Sequence, residues 1–262
     1  FYVGVDKCGS TSIFNILTKQ HWIKDLKGKD TNLLINENFK NHQLSGNINK
    51  IKEFGQNSIF VEYSHDYWLH TNVAKTIKKD FPESYVICSI RNPILRSVSA
   101  LKHYKKIGTK GSDEDIIKNF PDIIDNSFYK KLKDFLLISG KLDDNKFYII
   151  NIDSEISLID QLNLCMSKFG LNQVVNEVNY NRFAAKDSKY PFLTNLIKKS
   201  SIYIKYIIPS SLYQYFKDKF YSQSFLFKKF DKDFDYYWKQ KISKIYGSEM
   251  LSEYNSILKI KE

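Results

Sequence analysis

The run Phe1-Tyr2-Val3-Gly4-Val5-Asp6-Lys7-Cys8-Gly9-Ser10-Thr11-Ser12-Ile13-Phe14-Asn15-Ile16-Leu17 decides how this chain is read. Phe1, Tyr2, Val3 and Val5 carry a strand signal, Gly4 and Gly9 bracket a polar turn, and Ile13, Phe14, Ile16 and Leu17 fall at helical spacing. The predicted order is strand, tight loop, helix. A helix start leaves backbone N–H groups without intrahelical partners and carries the positive end of the helix dipole, so it attracts anions. Gly9 lets the backbone approach such an anion, Ser10, Thr11 and Ser12 add hydroxyls, and Lys7 adds a full positive charge. A purely structural turn is the alternative at this point.

The spacing is close to the Walker A pattern G-x-x-x-x-G-K-[ST], with Gly4 and Gly9 at its two glycine positions. Ser10, however, stands where the phosphate-wrapping lysine belongs, and the loop's lysine is Lys7. An ordinary ATPase or GTPase reading is weakened accordingly.

A second stretch has the same logic. Tyr85 to Ile90 is a continuous apolar run of the kind found in a buried parallel strand. Arg91 sits at its end, Asn92 suits a helix cap, and Pro93 suits a first helical position. Arg96, Ser99 and His103 then give the following helix a polar, basic face. Arg91 beside that face makes a second anion site at a strand-to-helix turn.

Elsewhere, Gln20 to Ile35 is predicted as a loop towards the mouth of the sheet, with Asp30 a candidate general base or a turn and cap residue. Residues 36–58 are polar with weak helical periodicity, and Ser58 to Ser64 is a short strand ending in Glu62, Ser64, His65 and Asp66. That cluster can line an active site or cap a helix predicted over Tyr67 to Lys79. Helices are predicted near Asp113 to Asn119, over Tyr129 to Ile138 and over Ile156 to Phe169, with a buried strand from Lys146 to Ile152. Residues 179–238 interleave aromatics with lysines, a pattern that could hold sugars, bases or a lipid interface, or pack helices on a core. Trp238 to Ile260 is predicted as a closing helical hairpin broken at Gly247.

At 262 residues the chain suffices for one sizeable core, so a single domain over 1–262 is expected, with 179–262 its helical, aromatic-rich extension. The net charge of +11 and pI near 9.2 favour anionic ligands. Cys8, Cys88 and Cys165 are far apart without a C-x-x-C pair, which points to a reducing compartment rather than to disulfides or zinc. No apolar run reaches the roughly 18 to 20 residues of a membrane span. Beginning inside a strand, the sequence is expected to be a piece of a longer one.

Gly4-Val5-Asp6-Lys7-Cys8-Gly9-Ser10-Thr11-Ser12 and Ile90-Arg91-Asn92-Pro93-Ile94-Leu95-Arg96-Ser97-Val98-Ser99, in this order, resemble the two nucleotide motifs of sulfotransferases that use 3′-phosphoadenosine-5′-phosphosulfate (PAPS). Lys29-Asp30-Thr31-Asn32-Leu33-Leu34 is similar to the base-carrying segment of glycan-type members, with Asp30 in place of a glutamate. Val61-Glu62-Tyr63-Ser64 resembles the strand before their acceptor pocket, with Tyr63 where heparan-type enzymes tend to carry a lysine. The resemblance implies a P-loop-like three-layer α/β fold with a central, mostly parallel sheet flanked by helices and a helical C-terminal part.

It further implies that the backbone of residues 8–12 (Cys8, Gly9, Ser10, Thr11 and Ser12) holds the 5′-phosphosulfate while Lys7 stabilises the bridging oxygen. Arg91 and Ser99 would bind the 3′-phosphate, and Asp30, or else Glu62 or His65, would be the base. The implied products are 3′,5′-ADP and a sulfated acceptor, a saccharide ahead of other small molecules, with no metal and no nucleic acid involved. The compartment expected is bacterial cytoplasm, or Golgi lumen for a trimmed membrane-anchored enzyme. A P-loop small-molecule kinase and a non-catalytic basic module binding glycan or nucleic acid are the rival readings.

Overall fold

The computed structural model describes residues 1–25, 28–35, 41–55, 59–176, 186–188, 227–230 and 232–261. The chain divides into two compact units, one of 1–92, 128–182 and 251–262, the other of 93–127 and 183–250.

The first unit is built on parallel strands. β1 (Ile23–Asp25) pairs with β2 (Ile59–Val61), and β3 (Val86–Ile90) pairs with β4 (Phe147–Asn151), both in parallel register. The extended segment Phe1–Val5 joins the two pairs. On one side the Tyr2 N–H donates to the Glu62 carbonyl at 2.9 Å, and the Ser64 N–H to the Tyr2 carbonyl at 3.1 Å. On the other, Val3 and Val5 donate to Ile87 and Ser89, each at 3.0 Å. The resulting order is β1, β2, Phe1–Val5, β3, β4, with the first segment of the chain in the middle. The connection from this middle segment runs to β1 on one side, and the one from β2 passes it to reach β3 on the other, so a switch point, where open α/β sheets place ligands, lies at its carboxyl end.

Side-chain alternation sorts the strand residues onto two faces. Val3, Val5, Val86, Cys88, Ile90, Phe147 and Ile149 pack with α2 (Asn41–Gly55), α3 (Thr71–Asp80), α7 (Lys130–Ile138) and the end of α9 (Lys232–Lys261). Tyr2, Tyr63, Ile87, Tyr148 and Ile150 pack with α1 (Ser10–Thr18) and α8 (Leu158–Lys168). This is the three-layer α/β arrangement expected from the sequence.

The second unit holds α4 (Pro93–Lys106), α5 (Asp113–Asn119), α6 (Asp122–Asp125), the antiparallel pair β5 (Lys186–Ser188) and β6 (Phe227–Lys229), and α9 up to Met250. Its interior is polar in part. Arg96 is buried and its Nη1 donates to the carbonyls of Asp122 and Ile123, both at 2.9 Å. The basic face predicted for this helix therefore loses Arg96, which is spent inside the unit. Trp238 Nε1 donates to Asp113 Oδ2 at 2.9 Å, and Lys241 pairs with Glu114 at 2.6 Å.

Three local expectations are corrected. Gln20 to Ile35 is not all loop, because Ile23-Lys24-Asp25 adds a parallel edge to β2; three residues are too few to show a period. The helix predicted over Tyr67 to Lys79 is a 3₁₀ turn, Tyr67–Leu69, followed after His70 by α3. The predicted break at Gly247 does not occur: α9 runs unbroken from Lys232 to Lys261. A Cβ on Gly247 would lie 3.0 Å from Ser243 Oγ and 3.9 Å from Ile94 Cδ1. The glycine gives close packing inside the helix, at roughly 1 kcal/mol of helix propensity. Most of the aromatic stretch 179–238 lies outside the described residues.

Candidate active site

The turn after the middle segment is shaped by its glycines. Gly4 has φ +134° and Gly9 φ +77°, values that a side chain resists. A Cβ on Gly4 would sit 2.4 Å from Trp68 Cδ1 and 2.5 Å from the His65 carbonyl oxygen, and one on Gly9 would sit 2.6 Å from Ile152 Cδ1. The loop thus lies directly against the ends of the two flanking chains. Lys7 also has positive φ, +60°, so the backbone of Asp6–Gly9 is coiled on itself.

Gly9 is the residue before α1 and offers no side-chain cap. The first α1 turn closes with the Ile13 N–H on the Gly9 carbonyl at 3.1 Å, which leaves the amides of Ser10, Thr11 and Ser12 without intrahelical acceptors. Cys8 is buried with its Sγ 3.8 Å from the Tyr129 hydroxyl, so it offers backbone rather than thiol to the loop. Tyr63 supports α1 from below. Its ring stacks on Tyr2 at 4.0 Å, its hydroxyl donates to the Ser10 carbonyl, and burial pushes its phenol well above the usual range.

Asp30 and His65 meet at this mouth. His65 Nδ1 is hydrogen-bonded to Asp30 Oδ1, and Lys29 Nζ lies 2.8 Å from Asp30 Oδ2. Burial alone would raise the Asp30 carboxyl, but the His65 hydrogen bond and the Lys29 charge prevail and hold it down at about 2. Asp30 sits at φ +60°, a conformation costly for a non-glycine, and its N–H donates to the Tyr63 carbonyl at 2.7 Å. His65 Nε2 is 3.3 Å from Asp66 Oδ1.

Glu62 stands apart from this pair. It is buried, and one oxygen, Oε1, accepts from the hydroxyls of Thr31, Ser64 (3.1 Å) and Tyr67 (2.9 Å). Oε2 is buried with no hydrogen-bond partner among the described residues. Burial raises its carboxyl above the ordinary value, partly offset by the three hydroxyls. The arrangement pins residues 31–34 to the strand end and the 3₁₀ turn.

Arg91 directly follows β3, and its backbone is clamped in both directions by Tyr129: its N–H donates to the phenol oxygen at 3.1 Å, and the phenol donates to its carbonyl at 2.5 Å. Its Nε lies 3.5 Å from Asp153 Oδ1. Ser99 is half-buried on α4, in the second unit, and its pairing with Arg91 rests on the sequence resemblance. The geometry therefore brings Lys7, the α1 amides, Asp30 and His65 to one end of the first unit's sheet. Nothing in the sequence alone singles out Asp153 or Tyr129. Asp153 follows the carboxyl end of β4, one strand beyond Arg91, where strand ends of a parallel sheet collect ligand-facing groups.

Family models and curated protein sequences give no match. Among solved structures, the chain is similar to a sulfotransferase from Alicyclobacillus acidocaldarius, with a TM-score of 0.53 at 16% identity over 69% of this chain and 85% of that one. The chain thus has a sulfotransferase-like α/β fold, with the Gly4–Gly9 turn at the end of the sheet's middle segment.

Proposed function

We propose that this chain transfers a sulfuryl group from PAPS to a hydroxyl or amine of an acceptor, a saccharide being the favoured class. The observation that carries the reading is the turn at the middle of the sheet. A glycine-dependent loop there carries Lys7 and leads directly into the first amides of α1, while Ser10 occupies the place of the lysine that a kinase or ATPase would use. The near contacts at Gly4 and Gly9 press the loop against His65, Trp68 and Ile152, so that only glycine fits at these two positions.

In this reading the amides of residues 8–12, with the hydroxyls of Ser10, Thr11 and Ser12, hold the 5′-phosphosulfate. As the acceptor atom bonds to sulfur, the bond from sulfur to the bridging phosphate oxygen breaks, and Lys7 stabilises the charge left on that oxygen. Losing one such donor typically costs about 10²–10³ in rate. His65 takes the acceptor's proton, with Asp30 holding its Nδ1 and so fixing ring orientation and tautomer. Glu62, the other candidate base, is engaged by three hydroxyls and supports the wall. Arg91, with Ser99 from the resemblance, takes the 3′-phosphate and selects PAPS over ATP.

Calorimetric titration without magnesium tests the reading. Binding of 3′,5′-ADP at about micromolar strength is expected, with at least roughly tenfold loss for 5′-AMP and for Arg91→Ala. A magnesium-dependent preference for ATP, or no binding of 3′,5′-ADP, overturns it.

A further inference from the structure

Arg91 already faces an anion supplied by the chain itself. Asp153 presents Oδ1 to Arg91 Nε at 3.5 Å, while its Oδ2 accepts from the Asn92 amide at 2.6 Å. A guanidinium and an adjacent backbone amide are the donors with which proteins bind phosphate, and here a carboxylate lies on both. The hold on the guanidinium is loose. The 3.5 Å separation exceeds a hydrogen bond, and Arg91 Nε is buried with no hydrogen-bond partner among the described residues. The parallel two-point pairing that makes Arg–carboxylate contacts strong is absent at Nε.

Asp153 is itself positioned. Its N–H donates to Asn151 Oδ1 at 3.1 Å, and the same oxygen accepts from the Tyr254 hydroxyl at 3.0 Å. Tyr129 meanwhile fixes the backbone of Arg91. The backbones of both residues are held, yet the contact between their side chains is not closed.

We propose that Asp153 is a resident carboxylate that competes with the nucleotide's 3′-phosphate for Arg91 and the Asn92 amide, and so sets the affinity of that site. The inference rests on the sulfotransferase reading of Arg91. A dianionic phosphate brought onto Arg91 must displace Asp153 or lie beside it, and like charges a few ångströms apart at a partly exposed site repel by an amount worth about tenfold in binding. The consequence is a site that distinguishes 3′-phosphorylated nucleotides while still releasing 3′,5′-ADP, which carries the same phosphate as the donor.

The test is titration calorimetry of 3′,5′-ADP and 5′-AMP against the full chain as wild type, Asp153→Asn, Arg91→Ala and the double variant. Asparagine keeps an oxygen for the Asn92 amide, and Asp153→Ser serves as a second neutral variant; thermal unfolding of each confirms the fold. Asp153→Asn is expected to tighten 3′,5′-ADP about tenfold and to leave 5′-AMP within about twofold. The gain should vanish in the Arg91→Ala background. Unchanged or weaker 3′,5′-ADP binding in both neutral variants, or an equal gain for 5′-AMP, overturns the proposal. If wild type binds with a 3′-phosphate preference and the variants gain nothing, only the role of Asp153 falls. If no variant binds 3′,5′-ADP, the sulfotransferase reading falls with it.

Discussion

Replacing Gly9 with alanine tests the loop at the point where backbone conformation and packing meet. Alanine in the left-handed region costs about 1–2 kcal/mol. Its Cβ would also lie 2.6 Å from Ile152 Cδ1, with Cγ1 next at 3.1 Å, an overlap that Ile152 or the loop must relieve at about 1–3 kcal/mol. Together these predict a loss of about 2–5 kcal/mol. For a chain of this size that is roughly 5–20 °C in melting temperature. Ile152→Val removes the offending Cδ1, and as Ile152 is only partly buried it should cost little alone, at most about 1 kcal/mol. The double variant should then recover most of the steric share, giving a favourable coupling of about 1–3 kcal/mol in a double-mutant cycle. Urea unfolding followed by tryptophan fluorescence measures each corner. Gly46→Ala is the control: Gly46 is exposed in α2 with nothing within 4 Å of its would-be Cβ, and alanine there should stabilise by about 0.5–1 kcal/mol. A stable Gly9→Ala variant would refute the left-handed turn, and strict additivity with Ile152→Val would refute the contact.

Three pH effects follow from buried or paired groups. Asp30, held at about 2 against an ordinary 3.8, adds stability that is present above pH ~4 and lost as pH falls towards 2; Asp30→Asn should flatten that part of an acid-unfolding curve. Glu62 has the opposite sign, since its carboxyl is raised, so its contribution fades as pH climbs through the raised value, and Glu62→Gln should remove the trend. Lys141 is buried against the carbonyls of Phe81 (3.2 Å) and Pro82 (2.6 Å), and burial lowers its ammonium from 10.5 to about 8. The unfolded chain then binds the extra proton between those values, so stability should rise from pH 8 to 10.5, and Lys141→Met should abolish the rise in urea midpoints.

Much of the first unit's frame was legible because its signals are local. Tyr85 to Ile90 and Lys146 to Ile152 are mostly apolar stretches long enough to declare buried strands, and they pair in register as β3 and β4. The helix begun by Pro93 and the α1 repeat were readable from caps and periodicity for the same reason. Ile23–Asp25 was not, because a three-residue edge strand exists only through its pairing with β2. Gly247 misled because glycine inside a helix and glycine at a break look alike until the neighbours Ser243 and Ile94 are in place.

The candidate site divides along the same line. Residue types and order alone determined the strand–loop–helix turn, the unpaired first amides of its helix, the substitution of Ser10 for a lysine, and Arg91 at a strand end. Tertiary structure decided which of the acidic and basic groups meet. Asp30 and His65 are 35 positions apart and become a pair only because the loop after β1 folds over the end of β2. Glu62, three residues from His65 in sequence, is turned inward to three hydroxyls instead. Asp153 reaches Arg91 across 62 positions through the pairing of β3 with β4. Propensity and capping act over a few residues and can be read along the chain, whereas the partner of a charge, and with it the proton affinity, depends on contacts that only chain closure creates.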